Sequence, residues 1–256
     1  MSRFAGAAEH YSAGRRPYPQ QFRAALREEL GLDGTGGLLD VGCGPGSLTG
    51  LLAPLFERAV GVDADPEMIA QARAEFPGLE WHVLRGEDLP AGLGTFRVVT
   101  FAQSFHWMDQ PLVAGRVRAM IEPGGAWVHV GGNTHRGVDD PGPLPLPRPP
   151  WPAIDELVRN YLGRDRPATK SGEQDVMRAA GFHGPVRLTP WPGDVVERSA
   201  DELISSVYSM SYSTPHFFAD RRAAFESDLR RLLAEASPTG RFAERMGPPD
   251  MFVWRP

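Results

Sequence analysis

Leu38-Leu39-Asp40-Val41-Gly42-Cys43-Gly44-Pro45-Gly46 is the stretch on which the reading of this chain turns. Leu38 to Val41 reads as a short buried strand. It breaks into a turn with glycine at every second position, and Ser47, Leu48, Leu51, Leu52 and Leu55 then follow a helical spacing. Strand, glycine turn and helix open a nucleotide-binding βαβ unit. Glycine suits the turn because the backbone must reach φ > 0 and let a ligand approach without a Cβ in the way. The helix start points free N–H groups and the positive end of its dipole at that ligand.

The second half of the unit follows. Ala59-Val60-Gly61-Val62-Asp63 is an apolar strand ending in a carboxylate. Asp63 lies about 20 residues beyond the first glycine, where a ribose-binding acid is expected. Asp65-Pro66-Glu67-Met68 then starts a helix, with an N-cap residue and proline in the first turn. Met68, Ile69, Ala72 and Phe76 give that helix one apolar face.

The spacing Gly42-x-Gly44-x-Gly46 is not the G-x-G-x-x-G of dinucleotide binders. With Asp40 before it, Asp63 after it and Glu87-Asp88-Leu89-Pro90 further on, the pattern resembles the class I S-adenosylmethionine-dependent methyltransferases. Within them it is similar to the type 11 small-molecule group that includes trans-aconitate methyltransferase-like proteins. The resemblance covers about Tyr11 to Val130 and reaches the rest in outline. It implies an α/β, Rossmann-like fold: a seven-stranded, mostly parallel sheet with an antiparallel last strand, plus a helical substrate cap. It implies S-adenosylmethionine as cofactor, with Gly42, Gly44 and Gly46 around its methionine part, Asp40 supporting the turn, Asp63 on the ribose and Met68 near the adenine. Gly86, Glu87 and Asp88 follow the third strand. This chain reads Arg85-Gly86-Glu87-Asp88 where many relatives read Gly-Asp-Ala-Glu, so both acids stay candidates for the adenine edge. Tyr11 to Pro19 resembles the segment that folds over the cofactor in this family, and by that resemblance Tyr11 and Arg16 close on the methionine end. An ordinary β–α turn, and a solvated basic arm at Arg15-Arg16, are the plainer readings of these stretches.

Composition sets the class. The chain has 256 residues, enough for one large domain, with a net charge of −5 and a pI near 5.8. An acidic balance argues against a nucleic-acid partner, which selects a basic face. One cysteine, Cys43, allows no internal disulfide and fits a cytoplasmic setting. The first residues lack the apolar core of a signal peptide, and no stretch approaches the ~20 apolar residues of a membrane span. The expected organisation is a single domain over 1–256: a cofactor-covering segment at 1–36, the cofactor-binding core at 37–130, and substrate-cap insertions at 131–172 and 199–236. A monomer or homodimer is expected.

In chain order, 1–17 reads as irregular and Pro19–Leu30 as an amphipathic helix stopped by Gly31. Leu79–Leu84, Phe96–Ala102 and Ala126–Val130 read as strands three to five, with a helix over Gln110–Ile121. The proline-rich run from Asp139 to Pro152 resists helix and sheet. Helices follow at Ala153–Leu162 and Glu173–Ala180. Pro185–Thr189 is strand six, extended through Val195-Val196. Ser199 caps a helix carrying Leu203, Ile204, Val207 and Tyr208, a charged helix covers Ala223–Ala236, and Met251–Trp254 is the last strand, placed antiparallel beside strand six.

Ligands bind at the carboxyl ends of strands in open α/β sheets. Gln103-Ser104-Phe105-His106-Trp107 leaves strand four there, and the family often carries a His-Trp pair at this place. Gln103 is a candidate for the methionine pocket, His106 for a general base, and Trp107, Tyr208 and Tyr212 for acceptor contacts. Imidazole titrates near about 6.5 when unperturbed, which suits a base, though packing is the plainer role for any of these residues. His82 and His129 read as strand residues. The seven histidines show no metal-ligand spacing, so no metal is expected. The expected reaction is methyl transfer to a small-molecule hydroxyl, amine or carboxylate, in specialised metabolism. The alternatives are a protein of this fold that binds the cofactor without methylating, and an NAD-dependent oxidoreductase.

Overall fold

All five residues of Gly37–Val41 are buried, as a central parallel strand with both faces covered must be. The computed structural model describes residues 6–132, 134–139, 142–164 and 172–256. The strands in chain order are β1 (Gly37–Val41), β2 (Arg58–Asp63), β3 (Glu80–Val83), β4 (Phe96–Ala102), β5 (Ile121–Val130), β6 (His183–Leu188), β7 (Val195–Ser199), β8 (Arg241–Arg245) and β9 (Met251–Arg255). The helices are α1 (Ala8–Gly14), α2 (Gln21–Leu30), α3 (Ser47–Leu52), α4 (Pro66–Glu75), α5 (Gln110–Arg118), α6 (Trp151–Leu162), α7 (Glu173–Ala179), α8 (Ala200–Tyr208) and α9 (Arg222–Ala236). They divide into two compact units: one built from 18–132, 169–191 and 248–256, the other from 1–17, 133–168 and 192–247.

The first unit holds a seven-stranded sheet in the order β3-β2-β1-β4-β5-β9-β6. Pairings from β3 through β5 are parallel, and β9 runs antiparallel between β5 and β6. This is the expected Rossmann-like sheet with its antiparallel last strand. The chain winds outward from β1 to β3 and restarts at β4 beside β1, so the order reverses between β1 and β4. That reversal opens a crevice at the strand ends. Alternation along the strands divides the core between the two faces. Leu39, Val99, Phe101 and Trp127 pack on one, and Leu38, Val98, Val128 and Val253 on the other.

The second unit packs α6, α8 and α9 around Trp151, Ile154, Leu203, Tyr208, Phe218, Phe225 and Leu229. Four differences from the sequence reading appear here. Residues 8–14 form α1 instead of irregular chain, and it approaches α8 so closely that a Cβ on Gly14 would lie 2.4 Å from the Ser205 carbonyl carbon. Val195-Val196 does not prolong strand six. It begins β7, which pairs antiparallel with β8 in a separate two-stranded sheet after the Pro190–Gly193 break. β8 has no strand signature in sequence, because Arg241-Phe242-Ala243-Glu244-Arg245 points a carboxylate inward. Glu244 is buried, accepting from Trp151 Nε1 at 2.6 Å and the Gly137 N–H at 2.9 Å, beside Arg198 at 3.3 Å. The strand of Ala126–Val130 also starts earlier, at Ile121, so α5 ends at Arg118. Parts of the expected cap insertion (133, 140, 141 and 165–171), including Asp140-Pro141 of the proline-rich run, and residues 1–5 lie outside the described residues.

Candidate active site

The glycine turn sits at the end of β1. Gly42, Gly44 and Gly46 have φ of 71°, 55° and 87°, the left-handed conformations that glycine adopts without a Cβ penalty. Gly42 and Cys43 donate their N–H groups to the Val62 carbonyl at 2.8 and 3.0 Å, which ties the turn to β2. Gly46 is the N-cap of α3 and lies under Trp81, whose ring a Cβ there would meet at 2.4 Å. Asp40, directly before the turn, is fully buried. Thr49 and Thr100 each donate a hydroxyl to it, at 2.6 and 2.8 Å, and so bind α3 and β4 to β1. Burial pushes the Asp40 carboxyl up to about 6 against the pull of those two hydrogen bonds.

Asp63 ends β2 half-buried beside the same turn. Its Oδ2 accepts from the Gly44 N–H at 2.9 Å and its Oδ1 from the Asp65 N–H at 2.8 Å. Burial raises its carboxyl above the ordinary range, opposed by those backbone N–H groups. Each oxygen keeps lone-pair capacity, since a carboxylate has about four acceptor sites. Asp65 caps α4 by accepting from Glu67 N, and Met68 is buried on the first turn of that helix. Gly86 is buried against Met108, whose sulfur a Cβ would meet at 2.6 Å. Glu87 accepts from Asp109 N at 3.0 Å and pairs with Arg85 at 3.4 Å, while Asp88 is exposed. Burial would raise the Glu87 carboxyl, but the Asp109 N–H and Arg85 hold it below its usual range.

Beyond β4 and β5 lies a cavity of about 510 Å³. Gln103, Ser104 and His106 line it from the β4 end, His129 from β5, and Glu173 from α7. Gln103 stands at φ 54°, an uncommon conformation for a residue with a side chain. Ser104 joins cavity and turn: its hydroxyl donates to the Val41 carbonyl at 2.6 Å, and a Cβ on Gly42 would lie 2.4 Å from its own Cβ. His129 is pushed down to about 3 by burial, so it is neutral at working pH. Glu173 accepts from Gln110 Nε2 at 3.3 Å, and burial raises its carboxyl. Trp107 lies tilted against His106 with ring centroids 4.5 Å apart, but it is 41% exposed and does not line the cavity.

The structure thus brings Asp40, Gly42, Gly44, Gly46 and Asp63 together, and Gln103 with His106. Four other candidates belong to the second unit. Tyr11 carries the Arg15 guanidinium 4.5 Å over its ring, and Arg16 is exposed, with its N–H on the Thr134 carbonyl at 2.8 Å. Arg15, not Arg16, makes the side-chain contacts there, to Ser209 and Thr134. Tyr208 and Tyr212 are buried in that unit's core. Sequence reading missed Thr49, Thr100, Ser104 and Glu173, whose partners are remote in sequence. His129 carried a faint signal: strand alternation puts it on the face of Trp127.

Residues 38–125 match the methyltransferase domain family. Asp40, the three glycines, Asp63, Glu87, Gln103 and His106 all fall inside the matched residues, whereas His129 and Glu173 lie beyond them. An uncharacterized methyltransferase of Mycobacterium tuberculosis is 31% identical over 127 residues, 48% of this chain and 49% of that protein. The trans-aconitate 2-methyltransferase of Azoarcus sp. is 41% identical over 66 residues, 24% of this chain and 26% of that protein. The chain spans about half the length, or less, of the curated relatives it matches. Among solved structures, a proposed type II methyltransferase from Anaeromyxobacter dehalogenans aligns over 94% of this chain and 95% of its own, with a TM-score of 0.54 and 24% identity. That likeness is one of fold.

Proposed function

We propose that the chain transfers a methyl group from S-adenosylmethionine to a small-molecule acceptor. The observation that carries this reading is the pairing of Gly44 N–H with Asp63 Oδ2 at the switch point of the sheet, with a cavity next to it across Ser104. The donor set fits the cofactor. Asp63 offers two half-buried carboxylate oxygens to ribose hydroxyls, Met68 and the Gly86–Asp88 turn stand where the adenine falls, and the glycine turn leaves backbone open to the methionine part. Bound there, S-adenosylmethionine supplies an activated sulfonium methyl for in-line attack.

The protein's own part is then alignment and exclusion of water. Gln103 positions the methionine end, and His106 takes a proton from an acceptor that must lose one. A dinucleotide is disfavoured because Gly46 stands at the N-cap of α3, not within the helix where the third glycine of that fingerprint belongs. The net charge of −5 favours a small molecule over a nucleic acid.

The test is incubation of the purified chain with methyl-labelled S-adenosylmethionine and a small-molecule extract, read by mass spectrometry. A labelled metabolite is the expected result. Cofactor binding without label in any extract favours the reading as a binding protein of this fold.

A further inference from the structure

The cavity beyond β4 and β5 carries a chemical bias. Its charged side chains, among the described residues, are Glu173 and Asp175, and no lysine or arginine lines it. Asp175 is exposed and pairs with Arg178 at 3.4 Å, so Glu173 is the acid that faces a bound molecule with no cation paired to it among the described residues. It accepts a hydrogen bond from the neutral Gln110 amide. An uncompensated carboxylate in a half-buried wall repels an anion and is stabilised by a cation. Phe101, Phe105, Phe252 and Trp254 supply aromatic surface, which adds attraction for an ammonium group. Two ring nitrogens on the wall, His129 Nε2 and Trp254 Nε1, are buried without a hydrogen-bond partner among the described residues. Trp254 is 2% exposed, so its N–H is a donor kept from water. Buried polar atoms without partners in a cavity wall are satisfied by what fills the cavity. A cavity of about 510 Å³ has the size of a small-molecule site.

We propose that this cavity selects an amine-bearing acceptor and rejects carboxylates, with Glu173 holding the ammonium and His129 and Trp254 taking its neighbouring polar atoms. This rests on the methyl-transfer reading above and narrows it. It also separates the chain from its trans-aconitate-methylating relative, whose named substrate is an acid. In the transfer, the ammonium gives one proton to the His106 imidazole, and Glu173 offsets the resulting charge. The freed nitrogen lone pair forms the N–C bond as the S–C bond breaks, with its electrons going to sulfur. The product is the methylated ammonium.

The test is calorimetric titration of the full chain with 2-phenylethylamine, 3-phenylpropanoate and 2-phenylethanol, alongside S-adenosylmethionine. The amine should bind at least tenfold tighter than the acid, and Glu173→Gln should weaken the amine at least tenfold while leaving S-adenosylmethionine affinity unchanged. Equal or tighter binding of the acid, no amine binding at millimolar concentration, or an unchanged amine affinity in Glu173→Gln would overturn the proposal. Loss of S-adenosylmethionine binding in the unmodified chain would instead sink the transfer reading, whatever the amine does.

Discussion

The Gly44 N–H donates to Asp63 Oδ2 at 2.9 Å, locking the glycine turn after β1 to the carboxylate that ends β2. Asp63→Ala removes that bond, the bond from Asp65 N, and the proposed ribose contacts. Hydrogen bonds to a charged group contribute roughly 1.5–3 kcal/mol each. S-adenosylmethionine affinity should therefore fall about a hundredfold or more by calorimetry. An unchanged affinity would remove Asp63 from the site.

Gly42 and Ser104 are in contact, and that contact sets a second expectation. Gly42→Ala forces a side chain onto φ 71° and against Ser104. It should destabilise by about 2 kcal/mol or more. Ser104→Gly in the same chain should recover part of that loss, because it removes the clash and leaves the strain. Chemical denaturation of the single and double variants measures both parts.

Asp40 makes stability depend on pH. Its carboxyl titrates at about 6 folded against an ordinary 3.8. Between those values the folded state binds the extra proton, so this group's contribution is full below about pH 4 and is lost as pH rises through 6. The loss amounts to about 3 kcal/mol at pH 7. In Asp40→Asn the Thr49 and Thr100 hydroxyls can still bond the side chain, and the charge is gone. The stability difference between variant and parent should shift in the variant's favour from pH 4 to pH 7. A difference flat across that range would contradict the assignment.

Much of the sheet was legible because its signals are local. Buried parallel strands are apolar runs, and Gly42, Gly44, Gly46 and Asp63 lie within 22 residues. What stayed hidden depends on remote partners. β8 was invisible because its inward Glu244 is stabilised by Trp151, Gly137 and Arg198 from elsewhere in the chain. α1 was missed because its Gly14 is a helix-packing contact on α8, while in sequence a glycine there reads as a break. The wall formed by His129 and Glu173 could not be read, since nothing local brings α7 to the cavity that His129 lines.

His129 invites a trade between stability and function. Its Nε2 is buried without a partner among the described residues, which costs folding about 1–3 kcal/mol. His129→Phe keeps a ring of similar shape and removes the orphaned nitrogen. The variant should unfold at higher temperature and transfer methyl groups more slowly. A destabilised variant would mean that His129 is satisfied where it stands.

The most direct measurement is calorimetric titration of the purified chain with S-adenosylmethionine and, separately, with NADH, repeated in Asp63→Ala. The account predicts one S-adenosylmethionine bound per chain, little or no NADH, and loss of the first signal in the variant. NADH binding in place of S-adenosylmethionine, or S-adenosylmethionine binding that survives loss of Asp63, would contradict it.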